Sequence, residues 1–505
     1  MQWDKAKAVA DAVAAGWATG RRPGGAIVLF DTEAIRSESC GGLANIEWRI
    51  PFTAETVVRC ASISKQFLCG LVAKDGRIGF ADTLGDHLPL RPALAAVPVA
   101  RALDMTGGVP DAMDTMRLLG LSPSTTMEPD LQRRFAQSFD GLNFAPGSEI
   151  SYSNAGYGLV QAALEAKGTD YRAALRETFF APLGLGMDFP DDETEPLANA
   201  ASGYQPSEAG WRRGRLGLRN SAAGGVTGSP RDVARWAQAL MTDRAPVRGL
   251  LALQGAKRAL PDGRETTYGL GFQISSQVPG VFALGHGGEM PGFRHHYLMA
   301  PDLGVGVIVM TNAEEGDSHN LATRLMAILT GSSYTPPTTE GLPEGIFVSE
   351  EDSSWIDFPN GRFRFLGADE DIIRDESGHL VLPKPHFPIA LRQAGDVIEG
   401  EICLVPRRYR RVKPGLTMAR AWGGHWVCPE QNAGFDIATR DGAAWLTIGA
   451  GPMCTTQALT PIAPGLALSP GGGVGPWRSR ICLAFDGNAI RLISNRSRFL
   501  RFHRG

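Results

Sequence analysis

The sequence predicts an α+β protein in which a large amino-terminal domain is followed by two small antiparallel β-barrel domains. Three observations predict it. Helix-like and strand-like hydrophobic periodicities alternate through the first two thirds of the 505 residues. A stretch rich in Pro, Gly, Ser and Thr, "SSYTPPTTEGLPEG" (332–345), then follows, as linkers between domains do. Beyond it helical periodicity disappears, and short alternating runs are separated by Gly, Pro, Asp and Asn. With a second break near "RVKPGLTMAR" (411–420), the expected domains are 1–332, 342–413 and 419–505.

The elements follow in order. "MQWDKAKAVADAVAAGW" spaces Asp4, Lys5, Lys7 and Asp11 among alanines as an amphipathic helix does, and lacks the continuous apolar core of a secretory signal. "GGAIVLF" (24–30) reads as an apolar strand, and residues 35–43 as a second. A buried helix is expected at "RCASISKQF" (59–67) and onward, and further helices near 157–167, 171–180 and 230–241. The last starts at "GSPRD", where Ser229 can cap and Pro230 can take the first helical position. Residues 281–312 read as strands with a turn at "PDLG", and "NLATRLMAILTG" as the helix that closes this domain. Both β units open on similar phrases, "PEGIFVSEEDSSWIDF" and "WGGHWVCPEQNAGFDI", which points to a duplicated barrel.

Composition excludes several classes of function. With 43% hydrophobic and 20% charged residues, the chain has material for a large core. Its formal charge of -3, from 50 Lys and Arg against 53 Asp and Glu, leaves no footprint for nucleic acid or an anionic membrane. The one basic cluster, "RRYRR" (407–411), reads as a solvated strand or hairpin face. No stretch is long enough to span a bilayer. Seven scattered cysteines without CxxC spacing suit free thiols in a reducing cytoplasm, so a cytoplasmic location is expected. Neither a zinc cluster nor any other metal or cofactor is expected.

The chemistry is concentrated in three stretches. In "RCASISKQF", Ser62 precedes Lys65 by three residues, so on a helix the two side chains share a face. A lysine inside an apolar run is unfavourable without a partner, and a nucleophilic serine is one reason to keep it there. The plainer reading is a serine and lysine that face water, since SxxK arises readily by chance. "FAPGSEISYSNAGYGLV" (144–160) places Tyr152, Ser153 and Asn154 between a proline-glycine turn and a helix. "GHGG" (285–288) places His286, Gly287 and Gly288 on a strand, with Glu289 next. In this order and spacing, the three stretches outweigh chance.

Together they resemble the penicillin-recognising serine hydrolases, the family of class C β-lactamases, DD-carboxypeptidases, related esterases and D-aminopeptidases. Ser62 to Lys65 matches its SxxK element and Tyr152-Ser153-Asn154 its YxN element. His286-Gly287-Gly288 matches the third element, where β-lactamases carry KTG. The HxG variant and the two following β units look most like the D-aminopeptidase branch, and the resemblance runs over essentially the whole chain. It implies a β-lactamase-like first domain, an antiparallel sheet flanked by helices. It also implies a serine hydrolase acting through an acyl-enzyme on a small peptide or amide, and a homodimer.

Ser62, Lys65 and Tyr152 are then the catalytic candidates. Lys65 can act as base only if burial or a nearby charge lowers its pKa, and Tyr152 can shuttle a proton between Ser62 and the leaving amine. Which of the two is the acylation base stays open. Asn154, His286, Gly287, Gly288 and Glu289 are the substrate-binding candidates. Asn154 would hold Lys65 and the substrate carbonyl, the glycines would allow close approach along the strand edge, and the backbone NH groups of Ser62 and Glu289 would form an oxyanion hole. "NSAAGGVTGSPRDVARW" (220–236) looks like the family's small-residue segment facing the site. His295 and His296 receive no role.

The resemblance implies release of small amino-terminal D-residues or glycine. Esters, D-amino-acid amides and carboxy-terminal D-Ala are alternative substrates, and non-catalytic peptide binding is an alternative of another class. In the D-aminopeptidase branch a loop of the last barrel helps select a free amine, yet the matching stretch here, "SPGGGVGPWRS" (469–479), carries no carboxylate. The Glu289 side chain is the candidate to supply that charge. The β units, without catalytic motifs of their own, are expected to act as a lid, so that truncation after about residue 332 would admit larger or N-blocked substrates.

Overall fold

The apolar run at 24–30 forms the strand Gly25–Asp31, buried except at its last residue, in a six-stranded antiparallel sheet. The order across that sheet is Ile35–Gly41, Gly25–Asp31, Val305–Thr311, Phe293–Ala300, Ala283–Met290 and Gln273–Ser275. Gly25–Asp31 and Val305–Thr311, at its centre, are buried on both faces, which is why they read as unbroken apolar runs instead of alternating ones. On one face the helices Trp3–Trp17 and Ser318–Thr330 bury Ala6, Ala10, Leu325 and Leu329 against Ile27, Leu29, Leu298 and Val307.

Against the other face packs the helix Pro230–Met241. As expected, Ser229 caps it: the Ser229 Oγ accepts from the Asp232 N–H, and the Asp232 carboxylate accepts from the Ser229 N–H, a reciprocal capping box. Trp236 of this helix meets Phe67 of the helix Lys65–Asp75, with ring centroids 4.5 Å apart.

This computed structural model describes all residues except 123, 127–130, 383–386, 450, 452–453 and 471–479. The chain groups into two units. The sheet above belongs to the first, Met1–Asp82 with Val160–Ala259 and Glu265–Pro336. The second comprises Thr83–Leu159, Leu260–Arg264 and Pro337–Gly505.

In the second unit four helices without a periodic signature in the sequence, Pro92–Ala95, Val99–Leu103, Ala112–Leu118 and Leu131–Gln137, precede the YxN stretch. None exceeds seven residues, two turns at most, so no 3.6-residue period can declare itself. After the Pro-rich stretch come nine antiparallel strands in one sheet, from Ile346–Ser349 to Val405–Arg411. An eight-stranded barrel then runs from Gly424–Cys428 to Arg501–Arg504 and closes where Trp426 and Val427 pair with Arg504 and His503. Among the described residues the nine-stranded sheet stays open. Its edge strands are Ala368–Glu370 and Ile373–Arg374.

The basic cluster corrects the sequence reading. Along Val405–Arg411 the side chains alternate, so Arg407 and Tyr409 point inward while Arg408 and Arg410 point to solvent. Arg407, 6% exposed, meets the carboxylates of Glu149 at 3.3 Å and Asp352 at 3.0 Å. It is a buried structural ion, not part of a solvated face.

Candidate active site

The first unit carries the nucleophile stretch. Cys60 donates its N–H to the Val226 carbonyl, Ala61 adopts a left-handed φ of 48°, and a tight 3-10 turn, Ala61–Ser64, feeds the helix Lys65–Asp75. A left-handed alanine is a strained conformation that persists only where its surroundings impose it. Ser62 therefore stands on the turn and not inside the helix that the sequence suggests. Residues three apart eclipse on a 3-10 turn, so the pairing survives: the Lys65 Nζ lies 3.1 Å from the Ser62 Oγ. Ser62 is partly exposed and Lys65 fully buried.

The small-residue segment makes direct contact here. The Ala223 carbonyl accepts from the Lys65 Nζ at 2.7 Å, and the Val226 N–H donates to the Ser64 Oγ at 2.9 Å. Burial pushes the neighbouring Cys60 thiol far up, so that sulfur is no rival nucleophile. Gln66 ties the helix down. Its side-chain oxygen accepts from Trp236 Nε1 and from the Tyr297 hydroxyl, both at 2.7 Å, and its carbonyl accepts from Gln254 Nε2 at 2.8 Å.

The strand Ala283–Met290 runs beside this turn. Gly287 and Glu289 are its more exposed positions, while His286, Gly288 and Met290 are buried. A Cβ on Gly288 would lie 2.4 Å from the Cys60 carbonyl, whereas one on Gly287 would first meet the His296 ring at 3.2 Å. The close approach, then, demands glycine at 288. We expect Gly288→Ala to destabilise the protein by about 1–3 kcal/mol through overpacking against backbone, and Gly287→Ala to cost less, as thermal melts of the two variants would show.

His286 is only 1% exposed. Its Nδ1 donates to the Gly287 carbonyl at 2.6 Å, and its Nε2 accepts from the Tyr268 hydroxyl at 2.9 Å. Glu289 is 53% exposed in its side chain and its carboxylate pairs with Arg294 at 2.9 Å. An exposed, already paired carboxylate is a weak anchor for a substrate ammonium. Glu289→Gln is accordingly expected to change KM for free-amine substrates by no more than about fivefold, in parallel assays of free and N-acetylated substrates.

Strand periodicity leaves His295 without a role, yet the structure gives it one. The Thr311 N–H donates to its Nδ1 at 3.3 Å, so the proton sits on Nε2, which donates to the Arg59 carbonyl at 2.9 Å just before the nucleophile turn. Burial pushes this imidazole down to about 4, even though its backbone hydrogen bonds oppose that. The unfolded chain takes up a proton near pH 6.5 that the folded protein refuses. The stabilisation is therefore complete above pH 6.5 and is lost as pH falls towards 4, by about 3 kcal/mol in all. Denaturant titrations between pH 7 and 4.5 should show this slope, and His295→Gln should flatten it.

Tyr152 and Asn154 belong to the second unit. Tyr152 is 8% exposed. Ser153 caps the helix Asn154–Ala166 by accepting from the Gly156 N–H at 3.3 Å. Asn154 is held by a residue that no motif announces: the buried Asp111 carboxylate accepts from its backbone N–H at 2.8 Å and from its Nδ2 at 3.0 Å. Most of the barrel loop expected to read a free amine, residues 471–479, lies outside the described residues. Among the described residues no group of three or more His, Cys, Asp or Glu can hold a metal ion, and no helix is long and apolar enough to cross a membrane.

Comparison with known families decides the ancestry, since the Beta-lactamase family matches residues 9–331. The chain belongs to the Beta-lactamase family. Among curated relatives, the D-aminopeptidase of Cereibacter sphaeroides is 26% identical over 474 residues, covering 88% of this chain and 87% of its own. Among solved structures, the octameric penicillin-binding protein homologue from Pyrococcus abyssi covers 99% of this chain and 100% of its own, with a TM-score of 0.57 at 18% identity. The D-amino acid amidase from Ochrobactrum anthropi SV3 covers 65% of this chain and 99% of its own, with a TM-score of 0.54 at 21% identity. At these identities the structural likeness is one of fold, and the family assignment gives the Ser62–Lys65 contact its chemical context.

Proposed function

We propose that the protein is a serine hydrolase of the D-aminopeptidase type, which releases small amino-terminal D-residues or glycine from peptides and amides through an acyl-enzyme. The observation that carries this reading is the 3.1 Å approach of a buried lysine amine to the Ser62 hydroxyl in a Beta-lactamase family chain. It is supported by similarity to a D-aminopeptidase along nearly nine tenths of the chain.

In this reading Ser62 Oγ attacks the carbonyl carbon while its proton passes to Lys65 or Tyr152, and the backbone N–H groups of Ser62 and Glu289 take the charge developing on the carbonyl oxygen. Asn154 orients Lys65 and the substrate amide. The C–N bond then breaks as Tyr152 returns a proton to the leaving amine. Water next attacks the ester carbon, the ester C–O bond breaks, and Ser62 regains its proton. Gly287 and Gly288 let the substrate backbone lie along the strand edge, while His286 shapes that edge through the Gly287 carbonyl. A homodimer in a reducing cytoplasm completes the proposal. Light scattering tests the first part, and the seven free cysteines support the second.

One observation favours a second reading, an amidase or esterase of the same family without free-amine selection: the Glu289 carboxylate is already paired with Arg294. D-Ala-p-nitroanilide, its N-acetylated form and a p-nitrophenyl ester separate the two. Dependence on the free amine selects the aminopeptidase, and indifference to it selects the amidase or esterase. Binding of the panel without turnover overturns both.

A further inference from the structure

Arg496 lies in a turn of the carboxy-terminal barrel, and none of the sequence motifs points to it. The turn is closed by the Ser494 N–H donating to the Ser497 carbonyl at 2.8 Å and is built into the second unit through several polar contacts. The Arg496 carbonyl accepts from the Asp111 N–H and from Asn143 Nδ2, each at 2.9 Å. Its N–H donates to Asp114 Oδ2 at 3.3 Å, and the Ser494 hydroxyl donates to the same oxygen at 2.9 Å. Thr115 and Ser497 hydroxyls meet at 2.8 Å. The turn is thereby fixed against the residue that holds Asn154.

From this anchored backbone the side chain reaches the phenol of Tyr152, and the guanidinium carbon lies 4.8 Å from the ring centroid. At that distance a cation is attracted by the ring face. Burial works against the charge of Arg496, but Asp114, Asp111, Tyr152 and Glu370 outweigh it and keep the guanidinium protonated. Asp114 in turn is resisted by burial yet held ionised by Arg117 and Arg496. The cation over the ring is therefore permanent over the working pH range.

We propose that Arg496 is a positioning residue for Tyr152, its guanidinium fixing the plane of the phenol ring and stabilising the negative charge that forms when the hydroxyl gives up its proton. The last barrel then takes part in proton transfer through a residue distant in sequence from every motif. The proposal rests on the reading of Tyr152 as proton shuttle, and two effects follow from it. Removing the cation slows the steps in which Tyr152 loses its proton, while substrate binding, which does not involve the ring face, is spared. Keeping a cation of different shape preserves most of the rate.

The test uses the full-length protein and the variants Arg496→Met, Arg496→Lys, Tyr152→Phe and Tyr152→Phe with Arg496→Met. Far-UV circular dichroism and melting temperature verify folding. Two rates are read for each: kcat and KM on D-Ala-p-nitroanilide, and the rate of covalent labelling of Ser62 by a fluorophosphonate. We expect R496M to lower kcat and labelling rate about tenfold to thirtyfold, the scale of a desolvated cation–π contact, with KM within about twofold. Its kcat profile should rise at higher pH than that of the wild type. R496K should recover most of the loss, and adding R496M to Tyr152→Phe should cost nothing further, because the two act through one group.

Equal rates for wild type and R496M overturn the proposal. So does R496K as slow as R496M, or the same loss from R496M in the Tyr152→Phe background, either of which would make the turn merely structural. Failure of the aminopeptidase reading is distinct. It shows as wild-type inactivity on D-Ala-p-nitroanilide with Ser62 still labelled, and the labelling rates then decide the role of Arg496.

Discussion

Ser62→Ala is expected to reduce hydrolysis by a factor of about 10⁴ or more, the scale on which a covalent route is lost, while the melting temperature stays within a few degrees. The side chain is partly exposed on its turn, so losing one oxygen opens no buried cavity. Lys65 differs in both respects. It is fully buried between Ser62 and the Ala223 carbonyl, so truncation to Ala would create a void and strand a buried acceptor. Lys65→Met, close in volume, is the cleaner probe and should lower kcat by about 10² to 10⁴, the usual contribution of a positioned acid or base. Mass spectrometry after fluorophosphonate treatment should find the label on Ser62 in the wild type. A label elsewhere, or near wild-type kcat in Lys65→Met, would remove that residue from the mechanism.

The second large effect concerns truncation, where the structure reverses the expectation of a removable lid. A chain ending near residue 336 keeps Thr83–Leu159 but loses the elements this segment folds with. Glu149, 5% exposed, meets Arg407 at 3.3 Å and Arg498 at 2.7 Å. The Ile150 N–H donates to the Cys403 carbonyl at 3.3 Å, and Leu118 packs in the core of the barrel. Leaving the Glu149 charge buried and unpaired costs about 3–5 kcal/mol, a large part of a typical stability of about 5–15 kcal/mol. Arg496 and its hold on the Asp111 N–H disappear as well. The truncated chain is therefore expected to be insoluble or to melt far below the full chain, with hydrolysis lost. A folded, active fragment with broadened specificity would restore the lid.

Gly25–Asp31, Pro230–Met241 with its Ser229 cap, and the strands from Ala283 to Thr311 were legible because each depends on a local signal, an apolar run or a capping residue beside its own helix. Ser62 and Lys65 were legible for a related reason. They lie three residues apart, and any tight right-handed turn, 3-10 or α, puts them side by side.

By itself, then, the sequence determined the α+β first part, the all-β second part, the family and the candidate nucleophile with its lysine. Tertiary structure alone decided that His286 meets the Tyr268 hydroxyl, that Glu289 pairs with Arg294, that Asp111 bonds Asn154, and that Arg496 lies over the Tyr152 ring. Asp111 stands 43 residues from Asn154, and Arg496 comes from another domain of the sequence altogether. Their roles depend on hydrogen bonds and a ring contact made only when distant segments meet. Periodicity and spacing record what a residue's neighbours in the chain require, whereas a buried charge takes its function from whichever partners the fold brings to it.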